Sequence, residues 1–139
     1  MSNECPSNSN AWMYGGRRWL TSTWPYQIAG QLPRQEEYNL KSQLLRAAAS
    51  VALNIAEGST GQSDAEQARF LGMALRSLVE TVACQELIRS RAYLTDPTLL
   101  DQAYRHADQL AAQIQAFRRK LSPYNAQVRE EPLDSYDID

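Results

Sequence analysis

Few residues of this 139-residue sequence have a type and spacing that could support catalysis or metal binding. The single histidine, His106, follows Ala103 by three positions, whereas a di-metal carboxylate bundle needs Glu-x-x-His pairs on two helices. Cys84 has Glu80 and Ile88 one helical turn away, and a nearby carboxylate disfavours the reactive thiolate. We therefore predict no catalytic residue, no metal site and no cofactor, and we expect that the protein is not an enzyme.

Glycine-rich phosphate-binding motifs are also missing from the sequence. There is no G-x-G-x-x-G after a strand and no G-x-x-x-x-G-K-[ST]. The Gly-Ser-Thr-Gly turn at residues 58–61 leads into a helix start, where free backbone N–H groups can hold an anion. A plain connection between two helices is the alternative that we favour.

Two polar residues, Asn54 and Glu57, lie at the end of a strongly apolar segment. A carboxylate at a helix carboxyl terminus opposes the helix dipole, so we expect Glu57 to pair with an arginine. The candidates are Arg46, Arg69 and Arg76. A partner-binding role for Glu57 is the alternative. The arginines themselves are either part of a solvated face or contacts to RNA or a protein partner. These five residues are the candidate contact residues of the sequence.

Aromatic residues are concentrated in the first segment of the chain, where they alternate with Arg17 and Arg18. They are Trp12, Tyr14, Trp19, Trp24 and Tyr26. Such a mixture could stack on nucleic acid bases. We favour a first helix that lays its rings on the rest of the protein, and we expect His106 to be a partly exposed surface residue.

The composition is that of an ordinary globular chain, with 43% hydrophobic and 22% charged residues and a net charge of −2. Residues 123–139 hold one basic and five acidic residues, so the charge on the remainder is +2 (−2 minus −4). This charge is too low for strong non-specific binding to nucleic acid. Two distant cysteines, no export signal and no long apolar run predict a cytoplasmic protein without a membrane partner.

The sequence divides into three predicted segments. Residues 1–16 are rich in Ser, Asn, Gly and Pro and predict a flexible leader. Residues 17–122 predict a helical bundle domain, and residues 123–139 an acidic disordered tail. Within the domain, the region from Trp19 to Gln31 predicts a short, irregular helix, because Pro25 and a Thr-Ser-Thr run weaken it.

Three regular helices should follow. Apolar residues from Leu40 to Ala56 cover about half of a helix circumference, which indicates a second buried face, and Gly58 fits a left-handed residue after this helix. Ser63 and Glu66 form a capping box for a helix that should end near Ala92. Its apolar half is expected to include Phe70, Leu71, Ala74, Leu75, Leu78, Val79, Val82 and Ile88.

The last helix has a heptad seam of apolar residues between positions 100 and 121, after Asp96 and Pro97 as cap and first helical residue. No strand pattern competes with these helices. The predicted fold class is all-α, an antiparallel up-down four-helix bundle with an irregular or shortened first helix.

Four short stretches of the sequence resemble a known bacterial family. Residues 32–40 (LPRQEEYNL), residues 54–58 (NIAEG) and the later residues Arg69-Phe70-Leu71 and Tyr93-Leu94 are similar to the four-helix-bundle proteins encoded in 23S rRNA intervening sequences. The resemblance implies a cytoplasmic homopentamer with no known catalysis and no cofactor. The chain is also similar to accessory variability-determinant proteins of retroelements, which are basic pentameric bundles that engage a reverse transcriptase and RNA.

We therefore predict a non-catalytic, oligomeric helical-bundle scaffold or adaptor, with a homopentamer as its assembly. We expect no small-molecule substrate. The alternative is an RNA- or ribonucleoprotein-binding accessory protein, for example the partner of a reverse transcriptase.

Overall fold

The computed structural model describes residues 11–60 and 63–121, and side chains from Gly16 onward. It contains five α-helices and one 3₁₀ turn in these ranges, and the described residues include no strand. The helices are α1 (Ala11–Thr21), α2 (Trp24–Ala29), α3 (Leu40–Ser59), α4 (Asp64–Ser90) and α5 (Thr98–Leu121), with the 3₁₀ turn at Arg34–Glu36. Residues 1–10 of the predicted leader and the whole predicted tail lie outside the described residues.

The first helix of the bundle is broken into α1 and α2. The Thr21 hydroxyl donates to the Arg17 carbonyl oxygen at 2.9 Å, and the Ser22 hydroxyl donates to the Trp19 carbonyl oxygen at 2.6 Å. Such bonds compete with continued helix, and Pro25 lies in the first turn of α2, where its missing N–H costs nothing. The structure thus has two short helices where the sequence predicted one between Trp19 and Gln31.

Helix α1 begins at Ala11, inside the segment 1–16 that was predicted as a flexible leader. The glycine pair suggested a break, but Gly16 is buried against α3. A Cβ atom at Gly16 would lie 2.7 Å from Ile55 Cγ2, a distance too short for a side chain. Glycine at this position therefore lets the two helices approach closely, a gain that offsets its unfavourable helix propensity of about 1 kcal/mol.

Helix α3 buries only part of its predicted apolar arc. Its buried residues are Leu40, Leu44, Ala47, Ala48, Val51, Ala52, Ile55 and Gly58. Ala49 and Ala56, at the edge of this arc, are exposed, and Leu53, which lies just outside the arc, is 64% exposed. The second buried face that the wide arc predicted is not covered by any described part of this chain.

The prediction for Gly58 was wrong. It lies inside α3 rather than after it, and no described glycine has a positive φ. A Cβ atom at Gly58 would lie 3.2 Å from Phe70 Cβ, so this glycine lets the end of α3 approach the start of α4. The structural requirement is the closeness of two helices, not a left-handed backbone.

Helix α4 begins as predicted, because the Ser63 hydroxyl oxygen accepts from the Glu66 backbone N–H at 3.2 Å. It ends at Ser90, close to the predicted end. Its buried face differs from the prediction, since Val79 is 68% exposed whereas Thr81 and Gln85 are buried. The Gln85 amide has no hydrogen-bond partner among the described residues. Because α4 packs against both α3 and α5, its two neighbours decide which residues are buried.

Helix α5 follows its predicted seam. The buried residues are Leu100, Ala103, Ala107, Leu110 and Ile114, and Phe117 and Leu121 are partly buried. The Asp96 carboxylate accepts from the Thr98 N–H at 2.9 Å, which caps the helix start next to Pro97. The predicted all-α four-helix bundle is confirmed, with α1 and α2 together in the place of the first helix. None of the helices described is long and apolar enough to cross a membrane.

Candidate functional site

The predicted residue Asn54 belongs to a polar contact between α3 and α4. Its side-chain amide donates to the Ser50 carbonyl oxygen at 2.9 Å and to the Ser50 hydroxyl at 3.1 Å. The Ser50 and Ser77 hydroxyls lie 2.8 Å apart across the two helices. These bonds give hydrogen-bond partners to the half-buried Ser50 hydroxyl and the buried Ser77 hydroxyl at the helix contact. Asn54 therefore has a structural role within the chain.

A groove of about 530 Å³ runs along this contact on the outside of the bundle. It is lined by Gln43, Arg46, Ala47 and Ser50 of α3 and by Ser77, Glu80, Ala83, Cys84 and Leu87 of α4. Arg46 is exposed and donates to the Ser42 hydroxyl at 3.3 Å. The structure therefore brings Arg46 and the Ser50–Ser77 pair to one groove, with Asn54 one turn further along α3.

The predicted ion pair of Glu57 does not form. Glu57, Arg69 and Arg76 are exposed, and no nitrogen of Arg46, Arg69 or Arg76 lies within 4.0 Å of its carboxylate. The Arg69 guanidinium instead lies over the Phe70 ring, 5.0 Å from its centroid. Exposed ion pairs contribute only about 0–1 kcal/mol, which is too little to hold long side chains together. The partner-binding role of Glu57 stays a prediction.

The buried carboxylate of Glu36, which sequence analysis did not single out, connects the 3₁₀ turn to the start of α3 and to the segment after α4. Glu36 accepts from the Tyr93 hydroxyl at 2.9 Å and from the Asn39 side-chain amide at 3.0 Å. It also accepts from the Leu40 N–H at 3.4 Å, and Arg91 lies 3.6 Å away. Glu36 and Tyr93 lie in the stretches that carry the family resemblance, but their 57-residue separation hides the pairing.

These bonds stabilise the charged form of the carboxylate. The Tyr93 hydroxyl is the main cause that holds the pKa of Glu36 below its ordinary value, against the opposing effect of burial. The Leu40 and Asn39 donors and the Arg91 charge lower the pKa further. Because the folded-state pKa is lowered, the contribution to stability is present above the ordinary carboxyl pKa and is lost as pH falls through the folded value.

We expect Glu36→Gln to destabilise the fold most at neutral pH. The stability difference between wild type and variant should shrink as pH falls below about 4.5, because the wild type then loses the same charge. Urea unfolding followed by circular dichroism from pH 7 to pH 3 measures this difference. Glu37→Gln is the matched control, since Glu37 is exposed and only pairs with Lys41 on the surface. A difference that stays constant with pH would contradict the assignment.

Two of the three aromatic side chains that the structure describes in the first segment pack on the bundle. Trp19 is 2% exposed, and its indole N–H donates to the Ala48 carbonyl oxygen at 2.8 Å. Its ring lies edge-on to Trp24, with the centroids 5.2 Å apart. This packing confirms the favoured interpretation for Trp19 and Trp24. Tyr26 is exposed, and the side chains of Trp12 and Tyr14 lie outside the described part of the structure.

His106 contacts both tryptophan side chains and is half-buried, in agreement with the expected partial exposure. Its Nδ1 atom accepts from the Trp24 indole N–H at 3.2 Å, and its ring centroid lies 5.1 Å from that of Trp19. Burial, followed by the nearby positive charge of Arg18, lowers the pKa of His106. The imidazole is therefore neutral at pH 7 and tied to the α1–α2 segment.

No group of three or more possible metal-ligating His, Cys, Asp or Glu side chains occurs within residues 16–60 and 63–121. Cys84 is buried in this part of the chain, and burial, together with the Glu80 charge, raises the pKa of its thiol. A raised pKa keeps the sulfur protonated at neutral pH, which agrees with the unreactive role expected from its helix neighbours.

Comparison with models of known protein families identifies a similarity. A family model described as 23S rRNA-intervening sequence protein matches residues 21–116. The match extends from the end of α1 through most of α5 and covers more than half of the chain. It includes Glu36, Tyr93 and all five candidate contact residues. Among curated proteins, no significant match to the chain was found.

Proposed function

Because this chain belongs to the 23S rRNA-intervening sequence protein family, we propose that it is a non-catalytic, oligomeric scaffold or adaptor that assembles as a homopentamer. The proposal does not require a small-molecule substrate or a cofactor. It assigns the function to the outer surfaces of the bundle, through which copies of the chain would contact each other.

The exposed apolar residues of α3 and α4 carry this proposal. Leu53 on α3 is 64% exposed and Val79 on α4 is 68% exposed. Met73 and Leu87 of α4 are also exposed. We call these four residues the outer apolar set. The exposed alanines Ala49 and Ala56 flank Leu53 on α3, where a small side chain permits close approach of another helix.

Water contact with these residues is unfavourable by about 25 cal/mol for each Å² of apolar surface. Burial against another copy would remove this surface from water and would supply the second buried face that the α3 pattern predicts. Single exposed apolar residues are common in monomers. The proposal therefore rests on the position of these four residues on two helices that are adjacent in space, together with the exposed alanines beside Leu53.

The native mass of the protein, purified without nuclease, tests this proposal. A complex close to five times 15.7 kDa with the absorbance ratio of pure protein is the expected result. A monodisperse monomer at micromolar concentration would exclude the scaffold. The 260/280 nm absorbance ratio, measured on the same sample, reports whether nucleic acid is retained.

RNA binding is a second candidate function, which the exposure of the arginines favours. Arg46, Arg69 and Arg76 all lie on α3 and α4 and are exposed. None of the three is within 4.0 Å of a described carboxylate, so their guanidinium groups are available for phosphate oxygens. Retained RNA that leaves the protein only at high salt would support this candidate.

If the protein binds RNA through these arginines, the double variant Arg69→Glu and Arg76→Glu should bind RNA at least about tenfold more weakly. The reason is that each glutamate repels the phosphate group that the arginine would attract. The slope of log affinity against log salt should also fall, by about 0.7 for each phosphate that the variant no longer neutralises. Fluorescence anisotropy of a labelled RNA measures both effects. The double variant Arg119→Glu and Lys120→Glu, on the exposed surface of α5, is the charge-matched control. Unchanged affinity in the double variant would argue against RNA binding at this face.

A further inference from the structure

A second cleft, of about 660 Å³, opens between the α1–α2 junction and α5. We call it the junction cleft and define it by Arg18, Trp24, Arg105 and His106. Its other lining residues are the hydroxyl residues 21–23, three glutamines and Leu99. The cleft lies away from the α3–α4 groove, and the proposed scaffold function does not use it.

The charge of the junction cleft has one sign. Arg18 and Arg105 both line it, and none of its lining residues is an aspartate or glutamate. Neither arginine has a described carboxylate within 4.0 Å. Two guanidinium groups that line one concave surface, with no described carboxylate beside them, favour an anionic ligand because they create a positive potential in the cleft.

His106 also lines the junction cleft, and its imidazole can act as a hydrogen-bond donor. The Trp24 indole can only donate, so the 3.2 Å contact makes His106 Nδ1 the acceptor. In a neutral imidazole the proton must then lie on Nε2, which becomes a hydrogen-bond donor. The lowered pKa of His106, caused by burial and by Arg18, keeps the ring in this neutral form at pH 7. Packing against Trp19 fixes the orientation of the ring.

We propose that the junction cleft binds a phosphate group, with the Arg18 and Arg105 guanidiniums as charged donors and the His106 Nε2–H as a third donor. A guanidinium presents its N–H groups in a planar fork that matches two phosphate oxygens. The phosphate belongs either to a phosphorylated small molecule or to the backbone of RNA. Both sources present the same chemistry to these three residues.

The single histidine of the chain allows a direct test. Inorganic phosphate is titrated into the full-length protein at pH 7 and constant ionic strength, and the imidazole signals of His106 are followed by ¹H–¹⁵N NMR. A saturable shift of the Nε2 signal is the expected result. For so small a ligand we expect a dissociation constant of about 1 mM. The absence of a saturable shift up to about 50 mM phosphate would therefore overturn the proposal.

Variants separate site binding from general charge effects. Arg18→Gln and Arg105→Gln should each weaken phosphate binding about tenfold, because each removes a charge-assisted donor. Arg17→Gln removes the same charge from the neighbouring exposed residue, which does not line the cleft, and should change the dissociation constant less than twofold. Equal effects of Arg17→Gln and Arg18→Gln would overturn the assigned site. The native mass of each variant should equal that of the wild type, which keeps this result independent of self-association.

The source of the phosphate is distinguished by two further probes. Uridine 5′-monophosphate and a ten-residue oligouridylate are compared on the wild type and on Arg18→Gln. Affinities are compared per phosphate group, because each oligonucleotide offers many equivalent phosphates to the site. An RNA source predicts that the oligonucleotide binds at least tenfold more tightly on this basis and that Arg18→Gln removes this advantage. Comparable binding of both probes, weakened equally by Arg18→Gln, identifies a phosphorylated small molecule. Insensitivity of both probes to Arg18→Gln would contradict the proposal.

Discussion

Replacement of Trp19 by alanine is expected to lower the free energy of unfolding by about 3–5 kcal/mol, as for other large aromatic residues in cores. The ring is 2% exposed and packs against Trp24 and His106. Its loss would leave a cavity where α1, α3 and α5 meet and would remove the hydrogen bond to the Ala48 carbonyl oxygen. Urea unfolding followed by far-ultraviolet circular dichroism measures the change.

A loss of this size is a large part of the total stability of a small domain, which is about 5–15 kcal/mol. Trp19→Phe is therefore measured as well, since it keeps a ring and loses the N–H donor, and it should be less destabilising than alanine. Tyr26→Ala is the control in the same segment, because Tyr26 is 69% exposed. Equal stability of Trp19→Ala and Tyr26→Ala would contradict the assigned packing of α1.

The double variant Leu53→Asp and Val79→Asp is expected to dissociate the proposed assembly. Each substitution would place an unpaired carboxylate in an apolar contact between copies, at a cost of several kcal/mol. Because both side chains are more than 60% exposed in the single chain, the fold itself should remain. The native mass should fall to 15.7 kDa, while the circular dichroism spectrum keeps its helical form.

Tyr104→Asp, which adds one carboxylate at another exposed site, is the control for this experiment. Tyr104 is an exposed large residue of α5 and lies outside the outer apolar set, so its replacement should leave the native mass unchanged. Light scattering coupled to size-exclusion chromatography at several protein concentrations measures all three proteins. An assembly that survives the double variant with its mass intact would show that copies associate through another surface.

The elements that sequence analysis predicted well are those with local signals. The seam of α5 repeats over three heptads, and Ser63 caps α4 within its own first turn. The broken first helix was foreseen as irregular because Pro25 and the adjacent hydroxyl residues act locally. These features depend on residues within a few positions of each other, so the linear order of the sequence contains the relevant interactions.

The details of α4 and of the glycines could not be predicted in this way. Val79 has an apolar side chain and is exposed, whereas Gln85 is polar and buried. The difference arises because α4 contacts α3 and α5 on two sides, and the rotation of the helix satisfies both contacts at once. In the same way, Gly16 and Gly58 locally suggest breaks, and only their neighbours across the bundle show close helix contacts.

The same distinction between local and long-range interactions applies to the candidate sites. Residue types and periodicity alone determined the helical class, the helix order and the exposure of Arg46, Arg69 and Arg76. Only the tertiary structure decided that Glu36 meets Tyr93 and that His106 meets Trp24, contacts that span 57 and 82 residues. Helix periodicity shows which face of a helix is buried, but partners across the bundle depend on helix rotation, crossing and loop geometry, which arise when all helices pack together.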